Sequence, residues 1–178
     1  MTTYISLLRG INVSGKNKIK MVDLKKCYES LGLRDVRTYI QSGNVLFTSD
    51  HKKQTEVATL IERGIEETFD LAVSVLTRSK KEWTSMVEER PFSIEDPAKM
   101  HVTFLAEPAN RYIEEPIRNK KSESEDFSIS QKEVYLLCPD GYGKTKLTNT
   151  FIEKSAGVKA TTRNWKTVMK LAEMMTDL

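Results

Sequence analysis

The feature that most restricts the fold is a change of hydrophobic period, repeated along the first 77 residues. Residues 3–8 (Thr-Tyr-Ile-Ser-Leu-Leu) are a near-continuous apolar run suited to a central strand. After a polar loop, Leu24, Cys27, Tyr28 and Leu31 fall at i, i+3, i+4 and i+7, one face of a helix. Gly32 supplies a left-handed residue beyond that helix, and Leu33 the apolar contact that follows it. Val36, Thr38 and Ile40 then alternate with Arg37, Tyr39 and Gln41, the period of a half-buried strand. Ser42-Gly43 reads as a two-residue hairpin turn, and residues 44–48 (Asn-Val-Leu-Phe-Thr) as the returning strand. The helical period comes back over 52–69, with Val57, Leu60, Ile61, Ile65 and Phe69 on one side. Gly64 inside it costs roughly 1 kcal/mol relative to Ala, which implies close packing there. Residues 71–77 supply a fourth strand. The order β-α-β-β-α-β is that of the ferredoxin-like split unit.

The remainder repeats most of this order. Ser79-Lys-Lys-Glu82 is a capping box opening a short helix that buries Trp83, Met86 and Val87. Residues 91–98, with Pro91 and Pro97, read as a connector. A strand over 100–106 leads to a short helix whose first turn takes Pro108 and which Pro116 ends. Beyond the solvated loop 120–126, Phe127 and Ile129 pair with the strong strand 134–138. A helix from about Lys146 buries Leu147, Phe151 and Ile152, and another from about Asn164 aligns Trp165, Val168, Met169, Ala172 and Met175. The sequence predicts an α+β protein of two ferredoxin-like halves, residues 1–90 and 99–178, joined by 91–98. This is a structural duplication with an extra C-terminal helix standing where the last strand would be.

Several classes are excluded. No apolar run approaches the roughly 20 residues that span a bilayer, and Met-Thr-Thr-Tyr at the start lacks the basic and apolar regions of a signal peptide, so a cytoplasmic protein is expected. Cys27 and Cys138 have no metal-type spacing and read as reduced, buried thiols. His51 and His101 form no ligand pattern, so no metal is expected. No G-x-S-x-G elbow is present, and the pairs Glu66-Glu67, Glu88-Glu89 and Glu114-Glu115 read as solvated helix faces. No catalytic residue and no cofactor is assigned.

Charge is unevenly distributed behind a net +3. Residues 1–53 carry ten Lys/Arg against four Asp/Glu, residues 54–138 eleven against seventeen, and residues 139–178 seven against four. Basic ends that met in space would form a positive patch. Arg9 and Asn12 stand at the end of the first strand beside Gly10, and Lys16 and Lys18 lie in the loop beyond. Gln41 and Asn44 flank the Ser42-Gly43 turn, where they serve hairpin chemistry, a cross-strand amide pair or a ligand. Residues 139–146 lie between a strand and a helix, the context of a P-loop, but Cys138 stands where its first glycine belongs. Lys144 and Lys146 are therefore read as part of a glycine turn or of an improvised anion site at a helix N-terminus. Asn164 or Thr162 can cap the last helix. Arg163, a cation at the same helix start, opposes the macrodipole and calls for a carboxylate or a bound anion.

Leu8-Arg-Gly-Ile-Asn-Val13 with Gly15-Lys-Asn-Lys18, Tyr39-Ile-Gln-Ser-Gly-Asn-Val45, Asp140-Gly-Tyr-Gly-Lys-Thr-Lys-Leu147 and Ala160-Thr-Thr-Arg-Asn-Trp165 together resemble the bacterial "domain of unknown function 1697" family along essentially the whole chain. Lys144-Thr145 replaces an Arg-Ser pair of many members and keeps a cation and a hydroxyl. The resemblance implies an α+β fold with duplicated ferredoxin-like halves and brings no activity, cofactor or catalytic residue. Three readings follow from the residues. The first is a phosphorylated small molecule or nucleotide bound by Arg9, Asn12, Lys16, Lys18, Gln41, Asn44, Lys144, Lys146, Arg163 and Asn164 in a basic cleft between the halves. The second is nucleic-acid binding, because ferredoxin-like sheets carry many RNA modules, although the aromatic RNA-recognition motif is missing. The third is a phosphoryl- or nucleotidyl-handling enzyme using the same basic residues.

Overall fold

The structure, a computed structural model, describes all residues from Met1 to Leu178. Residues Met1–Met86 with Leu171–Leu178 form one compact unit and Val87–Lys170 a second. The first contains β1 (Thr2–Leu8), α1 (Met21–Ser30), β2 (Arg34–Tyr39), β3 (Asn44–Ser49), α2 (Gln54–Phe69) and β4 (Val75–Ser79), and α3 (Lys80–Glu88) follows. Its antiparallel sheet has the order β2-β3-β1-β4. The second contains β5 (Met100–Leu105), α4 (Glu114–Lys120), β6 (Asp126–Ile129), β7 (Glu133–Leu137), α5 (Asn149–Ala156) and β8 (Ala160–Asn164), and α6 (Trp165–Met175) follows. Its sheet repeats the arrangement as β6-β7-β5-β8. Both halves are ferredoxin-like, and each is followed by one further helix.

Register makes the likeness residue-specific. Tyr4 pairs with Ser79 and Ile5 with Arg78 in the first sheet, as His101 pairs with Asn164 and Val102 with Arg163 in the second. In the first unit, Tyr4, Leu8, Val45, Phe47 and Val75 turn one sheet face towards Leu24, Tyr28, Val57, Ile61 and Ile65 of the two helices. Leu105, Val134, Leu136 and Ala160 do the same towards Ile117 and Ile152 in the second. Each fully buried Leu, Ile or Phe in these layers contributes about 1.5–3 kcal/mol over leaving it exposed.

The local signals act as their chemistry requires. After α1, the Gly32 N–H reaches Glu29 O and the Leu33 N–H reaches Tyr28 O, with Gly32 at φ +81°, the paired bonds of a Schellman stop. Ser79 and Glu82 exchange the reciprocal bonds of a capping box: the Ser79 N–H donates to Glu82 Oε2 at 2.8 Å and the Glu82 N–H to Ser79 Oγ at 3.3 Å. Gly64 leaves no room for a side chain, since a Cβ would stand 2.6 Å from Leu31 Cδ1. That is why α2 carries a glycine against the end of α1.

Four expectations are corrected. Residues 160–164 are not a helix approach but the edge strand β8, so the second half is a complete βαββαβ unit. Helix α5 starts at Asn149 rather than Lys146, after a 3-10 turn over Tyr142–Lys144. Pro116 does not end a helix; it is the third residue of α4, within the first turn, where a missing N–H costs nothing. The hairpin between β2 and β3 closes on the pair Tyr39↔Asn44 and so has a four-residue loop rather than a two-residue turn, with Ile40 at φ +49° and Gly43 at +80°.

Candidate functional site

The connection from β1 to α1 is the most contorted backbone in the molecule. Gly10, Asn12, Ser14, Gly15 and Asn17 all have positive φ, and a non-glycine residue there costs about 1–2 kcal/mol. Ser14 and Gly15 are the two centre residues of a tight turn closed by the Lys16 N–H to Val13 O, the positions where a type I′ turn needs positive φ. Asn12 holds the whole segment. Its Oδ1 accepts from the Ile19 N–H at 2.9 Å, and its Nδ2 donates to Ile19 O at 2.9 Å and to Gln41 O at 2.8 Å. Asn17 Nδ2 donates back to Gly10 O. The 40–43 loop is locked from the other side: the Leu8 N–H donates to Gly43 O, and a Cβ on Gly43 would lie 2.8 Å from Leu8 Cβ and 2.7 Å from Ile11 Cδ1.

These two locked loops and the start of α1 border an open depression of about 590 Å³, lined by Asn12, Gly15, Lys18, Ile19, Lys20, Asp23, Gln41 and Phe69. Ile19 is buried at its floor and Phe69, the last residue of α2, is half-buried. Lys20 occupies the N-cap position of the ten-residue α1, and no side chain caps that helix. Its carbonyl accepts from the N–H groups of Asp23 and Leu24, which leaves those of Met21 and Val22 as the unsatisfied donors of the first turn. A helix N-terminus carries about half a positive charge, and here two lysines add to it.

Of the ten residues singled out by sequence, Asn12, Lys18 and Gln41 line this depression. Asn12 serves it by organising backbone, since all its amide hydrogens are engaged. Lys16 is exposed on the neighbouring turn, and Arg9 is half-buried with its N–H on Ser74 O. Asn44 is fully buried and closes its own hairpin through Tyr39 O and Ser42 Oγ. Sequence reading missed Lys20, Asp23 and Phe69. The alternation Lys16-x-Lys18-x-Lys20 was the visible signal for the first, and an acid in a helix's opening turn for the second. Nothing local marks Phe69, which chain folding brings from another helix.

The other four residues belong to the second unit. Lys144 and Lys146 are exposed in the segment before α5, and that helix is capped by Thr148, whose Oγ1 accepts from the Phe151 N–H at 3.2 Å. Arg163 lies within β8 rather than at a helix start; it is buried, and its Nη1 donates to Thr161 Oγ1 and Thr162 O. Burial lowers its pKa to about 10. Asn164 does cap α6, with Oδ1 accepting from the Lys166 N–H. Its Nδ2 donates to Ala98 O and faces His101 Nε2 at 3.2 Å, so His101 accepts there as a neutral ring protonated on Nδ1. The imidazole stacks on Tyr142 with centroids 4.3 Å apart, and its Nδ1 is buried without a hydrogen-bond partner. Desolvation lowers the His101 pKa to about 4.

No group of three or more His, Cys, Asp or Glu side chains is placed to hold a metal ion. No helix is long and apolar enough to cross a membrane. Both cysteines are buried free thiols, and burial raises the pKa of each, Cys138 to about 11.

Comparison with known proteins places the chain. No curated protein matches it. Among solved structures it is similar to the conserved bacterial protein SP0830 from Streptococcus pneumoniae, at 26% identity and a TM-score of 0.80, over 97% of this chain and 98% of that one. The family model described as "Protein of unknown function (DUF1697)" matches residues 1–135, and the chain therefore belongs to the DUF1697 family.

Proposed function

We propose that this protein binds a phosphorylated small molecule in the depression over the start of α1. The observation that carries the reading is the uncapped N-terminus of a ten-residue helix beside Lys18 and Lys20, neither of which has an ion-pair partner in the structure. Folding gains nothing from cations at that end of a helix, where an acid or a capping hydroxyl is the stabilising choice. A phosphate would supply the missing acceptor for the Met21 and Val22 N–H groups and add negative charge beside two lysines that face a single acid, Asp23, in the same turn. Each lysine within about 4 Å of the anion adds about 1 kcal/mol in water and several times more when partly desolvated. The contorted loop supports the same reading: its strain buys a fixed backbone around the site.

The test is titration calorimetry with inorganic phosphate and ribose 5-phosphate at low ionic strength. Lys18→Ala and Lys20→Ala are each expected to weaken binding about three- to tenfold, and 0.3 M salt to weaken it further. Lys25→Ala, one turn further along the same helix, leaves it unchanged. Absence of binding at tens of millimolar, or equal binding by all three variants, would sink the proposal.

A further inference from the structure

We infer, resting on the phosphate-binding reading above, that the ligand of this depression is a ribonucleoside monophosphate. Two features of the lining have no use for phosphate alone. Asp23 stands in the first turn of α1 beside the lysines, half-buried, and its carboxylate makes no hydrogen bond or ion pair within the protein. Next to an anion, such a carboxylate repels by about 1 kcal/mol at 4 Å even in water. It becomes favourable when the ligand offers it hydroxyl donors, because an ionised carboxylate is an acceptor only and its two oxygens can take both O–H groups of a cis-diol. The second feature is the apolar floor of Ile19 and Phe69. A sugar phosphate has no planar apolar surface to cover it, whereas a nucleobase stacks on a phenyl ring and buries the neighbouring aliphatic side chain. Gln41 at the rim adds an amide whose side chain has no partner in the protein, suited to the hydrogen-bonding edge of a base.

Size is consistent. A space of about 590 Å³ falls within the range of small-molecule sites and accommodates base, ribose and one phosphate together. The order of contacts follows from the chain: phosphate at Lys18, Lys20 and the helix terminus, ribose at Asp23, base over Phe69. The floor and the carboxylate, rather than the helix terminus, separate a nucleotide from any other phosphate ester.

Four probes test this by calorimetry on the full chain: adenosine 5′-monophosphate, its 2′-deoxy analogue, ribose 5-phosphate and inorganic phosphate. Adenosine monophosphate is expected to bind at least about tenfold tighter than ribose 5-phosphate, as stacking worth about 1–3 kcal/mol requires. Phe69→Leu, which keeps the packing at the end of α2, removes that advantage and leaves ribose 5-phosphate unchanged. The deoxy analogue binds several-fold more weakly than the ribonucleotide, and Asp23→Asn erases most of that difference. Equal affinities for adenosine monophosphate and ribose 5-phosphate, or for the ribo and deoxy forms, would overturn the nucleotide assignment while leaving phosphate binding intact. Failure of all four probes would remove both.

Discussion

The same topological position is built twice, with opposite chemistry. The connection from β1 to α1 carries Arg9, Lys16, Lys18 and Lys20 and no acid, and it leads into a helix with a single acid, Asp23, in its first turn; neither this helix nor α4 has a side-chain cap. Its counterpart from β5 to α4 carries one acid and one base, Glu107 and Arg111, and leads into the Glu114-Glu115 start of a seven-residue helix, where acids belong. Both are clamped by an asparagine. Asn12 ties its loop to Ile19 and Gln41; Asn110 donates from Nδ2 to Ser155 O and Ala156 O at the end of α5 and accepts the Tyr112 N–H on Oδ1. The clamp is therefore what this fold asks of the connection. The cations are not, because the second half folds in the same way without them.

The comparison can be broken at the backbone first. Gly43 and Gly141 both have positive φ, but Gly43 is crowded by Leu8 and Ile11 while no atom stands within 4 Å of a Cβ on Gly141. Gly43→Ala is expected to destabilise by about 2–5 kcal/mol, adding overpacking of about 1–3 kcal/mol to a conformational cost of about 1–2 kcal/mol. Gly141→Ala should show only the latter. Urea unfolding of the two variants measures the difference, and equal losses would mean that the first unit's loops are not locked as described.

An acid titration separates the halves next. Tyr4 and His101 occupy the same register position, and only His101 can gain a proton below neutrality. Its pKa falls from 6.5 to about 4 on folding because burial disfavours the imidazolium. The unfolded chain binds that proton first, so the stabilisation is whole above pH 6.5 and is lost as pH falls towards 4, by roughly 3 kcal/mol at most. His101→Phe keeps a flat ring on Tyr142 and should flatten this slope between pH 6.5 and 4. A slope identical to the wild type's would show that His101 is not held neutral.

The smallest effects concern caps. Thr148→Ala should cost about 1 kcal/mol, as loss of an N-cap hydroxyl does. Lys20→Ser supplies the cap that α1 lacks and should stabilise by about 0.5–1 kcal/mol while weakening phosphate binding. Opposite signs on stability and binding at one residue are what a functional cation predicts, whereas loss of both would make Lys20 structural.

Much of this architecture was legible in the chain. Periodicity located the first five elements, and the capping box at Ser79, the stop at Gly32 and the packing glycine at Gly64 all act as their residue types imply. Strand β8 was not legible because it is an edge strand of Ala-Thr-Thr-Arg-Asn, short of apolar residues. It is held by side-chain bonds such as Thr103 Oγ1 to Thr162 Oγ1 at 2.8 Å, and those appear only once β5 lies beside it. Of the residues lining the depression, the glycine- and lysine-rich loop after a strand pointed to Asn12 and Lys18 and the hairpin turn to Gln41, but periodicity cannot reveal that the hairpin loop and the end of α2 lie around one depression.

The most direct measurement is amide NMR of the 15N-labelled protein during titration with adenosine 5′-monophosphate. Saturating shifts are expected on residues 12–23 and on Gln41 and Phe69, largest at the Met21 and Val22 N–H groups, with the β5–α4 connection unmoved. Shifts confined to other segments, or none at millimolar nucleotide, would contradict nucleotide binding in this depression.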